Sequence, residues 1–173
     1  GESLAATAPA SGRRPAAAGS SVHSRRRAQD LPESPVKTRE TNDEVILEPA
    51  QPANAAVIWL HGLGADGHDF VPIVPELSLP AGIHARFVFP HAPVRPVTLN
   101  GGARMRAWYD IKSLSRADLQ DDAGIRESAA TVMQIVAEQR KAGIAANRTV
   151  IAGFSQGGAI TLHAVCRLEE PLA

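Results

Sequence analysis

Residues 149–165 read TVIAGFSQGGAITLHAV, and this stretch decides the fold. TVIA is a short apolar run with β-branched members, too short for a helix, and reads as a buried strand. Gly153-Phe154-Ser155-Gln156-Gly157 follows as a turn, and Gln156 to Leu168 reads as a helix that begins directly after it. A serine between strand and helix, with glycines two residues to either side, is the pattern of a nucleophile carried on a sharp turn. The glycines let neighbouring backbones approach closely. A serine hydroxyl attacks only when a base takes its proton, and it must project where nothing crowds the substrate. The helix start adds backbone N–H groups and positive potential beside it. Ser155 is therefore the expected nucleophile, and the Gln156 N–H an expected oxyanion donor. A plain Gly-rich turn with a capping serine is the competing reading, because the bare motif is common. The strand before it and the helix after it favour the nucleophile.

Upstream, Ala55 to Leu60 (AAVIWL) and Ile83 to Phe89 (IHARFVF) are apolar runs of the kind seen in parallel strands buried on both faces. Asp43 to Glu48 (DEVILE) reads as an edge strand, and order is expected to begin near Asn42. Asp66 to Leu77 reads as a helix limited by Pro72 and Pro75. Ala92 to Asp110 carries Pro93, Pro96, Gly101 and Gly102 and reads as a long loop of the sort that forms binding surface. Asp122 to Lys141 is the clearest helix. Ile125, Ala129, Val132, Met133 and Val136 share one face, Asp121 or Asp122 caps the start, Arg140 and Lys141 suit the end, and Gly143 stops it. Alternating strand and helix predict an α/β class with a mostly parallel sheet.

Directly after AAVIWL comes His61-Gly62-Leu63-Gly64-Ala65-Asp66-Gly67. In hydrolases with this nucleophile turn, a second oxyanion donor comes from such a Gly-rich turn, and Leu63 N–H is the expected donor. Gly62, Gly64 and Gly67 also spell G-x-G-x-x-G, the dinucleotide fingerprint. That fingerprint expects an acid ~20 residues on at the end of the next strand, where this chain has Phe89-Pro90-His91.

The 18 basic residues balance 18 acidic ones. A balanced charge argues against a general nucleic-acid binder or a protein held on membranes by charge. No apolar run approaches the ~18–20 residues of a membrane span. The single cysteine, Cys166, excludes an internal disulfide and suits a reducing compartment; it is expected to be a small core residue of the last helix. Residues 1–41 read as a disordered tail rich in Ala, Arg, Ser and Pro, and 42–173 as a partial α/β domain. Arg13, Arg14, Arg25, Arg26 and Arg27 against the single acid Glu2 in residues 1–29 also fit an organelle transit peptide or a basic arm.

Four blocks in order, HGLGADG, FVFPHAPVRPVTLNGG, RAWYDI and AGFSQGGAITLH, resemble the phospholipase/carboxylesterase family, which includes bacterial carboxylesterases and acyl-protein thioesterases. The resemblance runs from about Glu44 to the last residue. It implies an α/β-hydrolase fold and a cytoplasmic, cofactor-free serine hydrolase without metal. The implied substrates are small-molecule esters, acyl thioesters or acylated proteins. Ser155 matches the family nucleophile, and Leu63 and Gln156 match the oxyanion donors. Met105 and Trp108 match the border of the acyl site, with core packing the competing reading for Trp108. His61 resembles a structural histidine beside the oxyanion turn, not a base.

In this fold the triad follows in the order Ser, acid, His. After Ser155 the acids are Glu169 and Glu170, and the one later histidine, His163, precedes both. His163 lies eight residues along the same helix, roughly 12 Å away at 1.5 Å per residue. The acid and base of the triad are thus expected outside these residues, the fold to be truncated after the nucleophile helix, and the chain alone to be nearly inactive. A non-catalytic remnant that binds acyl groups or a partner protein is the alternative. The strand at Thr149 is expected to lack a neighbour, leaving an aggregation-prone edge.

Overall fold

The computed structural model describes residues 37–115 and 120–173. The tail expectation for residues 1–36 lies outside them. Five strands form one sheet: β1 (Lys37–Glu40), β2 (Glu44–Glu48), β3 (Ala55–Leu60), β4 (Ala85–Pro90) and β7 (Thr149–Gly153), in the order β1-β2-β4-β3-β7. Between them in sequence, β5 (Val94–Val97) and β6 (Ala103–Arg106) make a separate antiparallel hairpin. The helices are α1 (Asp122–Lys141) and α2 (Gln156–Val165).

β3 pairs parallel with β4 and with β7, whereas β2 pairs antiparallel with both β1 and β4. The sheet is therefore mixed rather than mostly parallel. Its parallel half holds the apolar runs read from the sequence. Ile46, Ile58, Leu60 and Val88 pack on one face against Val132, Ile135 and Val136 of α1 and Ile160 of α2. Val45, Leu47, Phe87 and Phe89 pack on the other, where Trp59 stacks on Phe70 at 5.0 Å. Each such fully buried side chain contributes about 1.5–3 kcal/mol.

Helix α1 has the expected bounds. Asp121 is its cap, accepting from Gly124 N at 3.2 Å. Past its end, Gly143 takes φ 90°, and Gly143 N and Ile144 N donate back to Arg140 O and Gln139 O.

Other expectations are corrected. Order begins before Asn42, within the stretch assigned to the tail: β1 pairs outside β2, so DEVILE is not the edge. All four β1 side chains are exposed, so no apolar pattern announces the strand. A turn in which Thr41 Oγ1 accepts from Asp43 N and Glu44 N forms the hairpin. The helix expected over 66–77 is only a 3-10 segment, Val71–Glu76, because Pro72 and Pro75 remove N–H donors from it. The loop expected over 92–110 contains the β5–β6 hairpin, which Gly101 and Gly102 turn with φ 65° and 79°. Helix α2 ends at Val165 instead of Leu168. Cys166 at its C-cap is exposed, not core, because no element covers that side of α2 among the described residues.

Candidate active site

Strand β7 delivers Ser155 to the C-terminal end of the sheet. Phe154 N donates to Leu60 O at 3.0 Å, so the turn starts as an extension of the β3–β7 ladder. Ser155 then takes φ 52°, ψ −117°, the single positive φ outside glycine among the described residues. An L-residue held there stores of order 1–3 kcal/mol of strain. The Ser155 side chain makes no capping hydrogen bond to α2. A capping serine would use its hydroxyl in this way, so the plain-cap reading has no support.

The flanking glycines are explained by what a side chain would strike. A Cβ at Gly153 would lie 2.5 Å from Gly157 O and from Thr161 Oγ1, and one at Gly157 would lie 2.5 Å from His61 O and 2.6 Å from Leu60 O. A Cβ at Gly62 would meet the Ser155 Cβ at 3.6 Å, which sets the His61–Gly67 turn directly against the serine. Gly64 has φ 78°, and Gly67 backs onto Phe89 O, where a Cβ would come within 2.4 Å. All three glycines of the G-x-G-x-x-G pattern thus serve close packing and turn geometry. The 3-10 segment after them is too short to present a dinucleotide helix.

Polar contacts hold this turn from several sides. His61 is buried, and its Nε2 accepts from Ala92 N at 3.0 Å. An N–H pointing at Nε2 leaves the ring proton on Nδ1, which donates to Gly62 O at 2.7 Å. Desolvation holds the His61 pKa below the ordinary value. With both nitrogens committed, His61 has no lone pair for a proton relay. Because the peptide is planar and trans, fixing Gly62 O also fixes the direction of the Leu63 N–H on the opposite side of the bond. Gly64 N donates to Arg106 O in β6 at 2.8 Å, and Gly67 N donates to His91 Nδ1 at 2.9 Å.

Gln156 begins α2, so its N–H falls in the first helical turn, where the helix supplies no acceptor. Its side chain is buried and bonds outward: Oε1 accepts from Trp108 N and Nε2 donates to Tyr109 O, both at 2.8 Å. Sequence reading valued Gln156 for its backbone alone and missed this clamp, which nothing in the local pattern announces. Met105 is half-buried near the Gly64 turn, with its Sδ 3.9 Å from the place of a Gly64 Cβ. Trp108 is 1 % exposed, and its indole N–H donates to His61 O at 2.9 Å. It packs beneath the turn. His163 lies on α2, and among the described residues no hydrogen bond joins Ser155 to a histidine or an acid.

Glu40, His68 and His91 bring ligand-type atoms within 4.8 Å of one another. They do not fit a metal. His68 already bonds Asp66 at 3.0 Å and Glu40 at 3.1 Å. A metal on His91 Nε2 would need the proton on Nδ1, where the Gly67 N–H already points.

The model of the family described as Phospholipase/Carboxylesterase matches residues 41–173. Acyl-protein thioesterase 1 of Yarrowia lipolytica is 43% identical over 127 residues, covering 72% of this chain and 56% of that protein. Acyl-protein thioesterase 1 homolog 1 of Dictyostelium discoideum is 42% identical over 111 residues, covering 64% of this chain and 49% of that protein. The crystal structure of Zea mays acyl-protein thioesterase 2 superimposes with a TM-score of 0.61 at 32% identity, over 70% of this chain and 50% of that one. This chain spans about half the length of the curated relatives it matches. With an α/β-hydrolase fold and a family model matched from the turn after β1 to the last residue, the chain belongs to the phospholipase/carboxylesterase family.

Proposed function

We propose that this chain carries the nucleophile and oxyanion half of a serine hydrolase for carboxylic esters or acyl thioesters. The observation that carries the reading is the Ser155 backbone, φ 52° and ψ −117°, held at the start of α2 and pressed against the Gly62–Leu63 turn. Ser155 Oγ attacks the acyl carbonyl, and its proton passes to a base. The carbonyl oxygen becomes an oxyanion between the Leu63 and Gln156 N–H groups, with the α2 N-terminus adding positive potential. Collapse expels the alcohol or thiol, and water then releases the acid from the acyl-enzyme. The acid and base of the triad are not supplied by the described residues, so the reading assigns them to further chain, as the half-length match to relatives supports. The names of those relatives favour acyl thioesters, acylated proteins included. Cytoplasmic action is part of the same reading. Among the described residues no helix is long and apolar enough to cross a membrane.

A fluorophosphonate probe tests the reading. The chain extended by its downstream reading frame should label at Ser155, Ser155→Ala should abolish labelling, and the 173-residue chain should label far more slowly. A second reading is an acyl-binding remnant without turnover. An unlabelled extended chain that still binds a fatty-acyl thioether would establish it and end the hydrolase proposal.

A further inference from the structure

The two expected oxyanion donors sit on different turns, 93 residues apart in sequence, and a usable cradle requires their spacing to be fixed. One residue contacts the supports of both. The Trp108 backbone N–H is held by Gln156 Oε1 at 2.8 Å, and its indole N–H holds His61 O at 2.9 Å. Its own carbonyl accepts from Ser128 Oγ on α1. Its ring lies 5.2 Å from the His61 ring, tilted by 38°. The residue is almost wholly buried, so water replaces neither bond without a cavity opening. Gly157 closes the same circuit from the other side, because its Cα backs directly onto His61 O.

We infer that Trp108 is a positioning residue: a strut that joins the His61–Gly67 turn to the Phe154–Gly157 turn and sets the spacing of the Leu63 and Gln156 N–H groups. The chemical consequence rests on the hydrolase reading above, whereas the mechanical one does not. An indole is suited to the task because it carries a donor at the far end of a rigid, apolar ring. Phenylalanine keeps most of the ring and loses the donor, so Trp108→Phe separates packing from bridging.

The test uses the full chain and reads amides that have defined acceptors. Gly64 N and Ala65 N report the first turn, bonded to Arg106 O and Gly62 O; Phe154 N and Gly157 N report the second, bonded to Leu60 O and Phe154 O. In Trp108→Phe, hydrogen exchange at both reporter pairs should rise together by about tenfold or more, while mid-α1 amides keep their protection. Acceleration at one pair alone, or at neither, overturns the strut. Should Trp108→Phe lose α1 protection as well, Gln156→Met decides. That substitution lies in the second turn, and faster exchange at Gly64 and Ala65 supports coupling, whereas unchanged exchange there overturns it.

The kinetic arm uses p-nitrophenyl butyrate with the extended chain. Trp108→Phe should lower kcat per labelled serine about ten- to hundredfold with KM within about twofold, short of the 10²–10³ lost with an entire oxyanion donor. A merely structural role would lower the labelled fraction and leave kcat per labelled site unchanged. If the extended chain without substitution shows no Ser155-dependent turnover, the hydrolase reading fails, and the exchange data still decide the strut.

Discussion

Gly157→Ala should destabilise the protein although alanine is the better helix former. The added Cβ would lie 2.5 Å from His61 O, 2.6 Å from Leu60 O and 2.8 Å from Leu60 C. All three atoms are backbone, so no side chain can swing away. Real Cβ atoms essentially never come nearer than 3.0 Å, and either α2 or the end of β3 must retreat by about 0.5 Å. Retreat stretches two bonds at once, the Trp108 indole to His61 O and the Phe154 N to Leu60 O. Overpacking of this kind costs about 1–3 kcal/mol. The propensity gain of alanine over glycine returns at most about 1 kcal/mol, and less in a first turn. A net loss of about 1–2 kcal/mol remains, or a fall in Tm on the order of 5 °C for a domain of this size. Thermal and urea unfolding followed by circular dichroism measure it. Gly158→Ala is the matched control: its nearest obstacle is Gly153 O at 3.2 Å, so it should stay within about 0.5 kcal/mol of the parent. A Gly157→Ala variant as stable as Gly158→Ala would refute the claim that the two turns are packed through this glycine.

Ser155→Gly should raise Tm, because relief of the positive φ (~1–3 kcal/mol) exceeds the ~0.5–1 kcal/mol entropy cost of glycine, whereas Ser155→Ala should leave the strain in place; equal Tm for the two would sink the strain argument. Stability should fall on acidification. Burial depresses the folded pKa of His61, so its contribution is complete above the unfolded value near 6.5 and is lost as pH falls below it; His91, depressed by burial and then by Arg106, adds the same sign. His68, raised by Asp66 and then Glu40, acts in the opposite direction but is half exposed and weak. The urea midpoint should therefore drop between pH 7.5 and pH 5, with a flatter profile in His61→Asn. Phe154 (60 % exposed), Leu162 (70 %), Val165 and Val150 leave an apolar surface along β7 and α2, and among the described residues β7 pairs with no strand besides β3, although Ala173 N donates to Thr149 O. Val150→Lys with Leu162→Glu should reduce self-association in sedimentation velocity; an unchanged distribution would place the association elsewhere.

Legibility in the sequence followed the physical reach of each signal. AAVIWL gave β3 residue for residue, because side chains on both of its faces pack against apolar neighbours and the run says so locally; TVIA gave β7 to within one, although Val150 is exposed and Ile151 and Ala152 are only half-buried. The α1 stripe and its cap were equally local. KTRE gave nothing: β1 is held by backbone bonds to β2, and its four exposed side chains record no burial. The prolines of 71–76 were visible, but their effect was underweighted. At the candidate site, the strained turn at Ser155 was legible because such a turn demands small neighbours within two residues. The Trp108–His61 bond spans 47 positions and the Gln156–Trp108 clamp 48, and no short window contains either. The glycines at 62, 64 and 67 fall between these cases. A glycine reports that some backbone or ligand approaches closely, without saying which, so the same spacing spelled both a phosphate cradle and an oxyanion turn. The contacts speak against the phosphate cradle: Gly62 faces Ser155 and Phe154, and Gly67 faces Phe89 O and His91, so the space a phosphate would need is already filled by the Phe154–Gly157 turn and the end of β4.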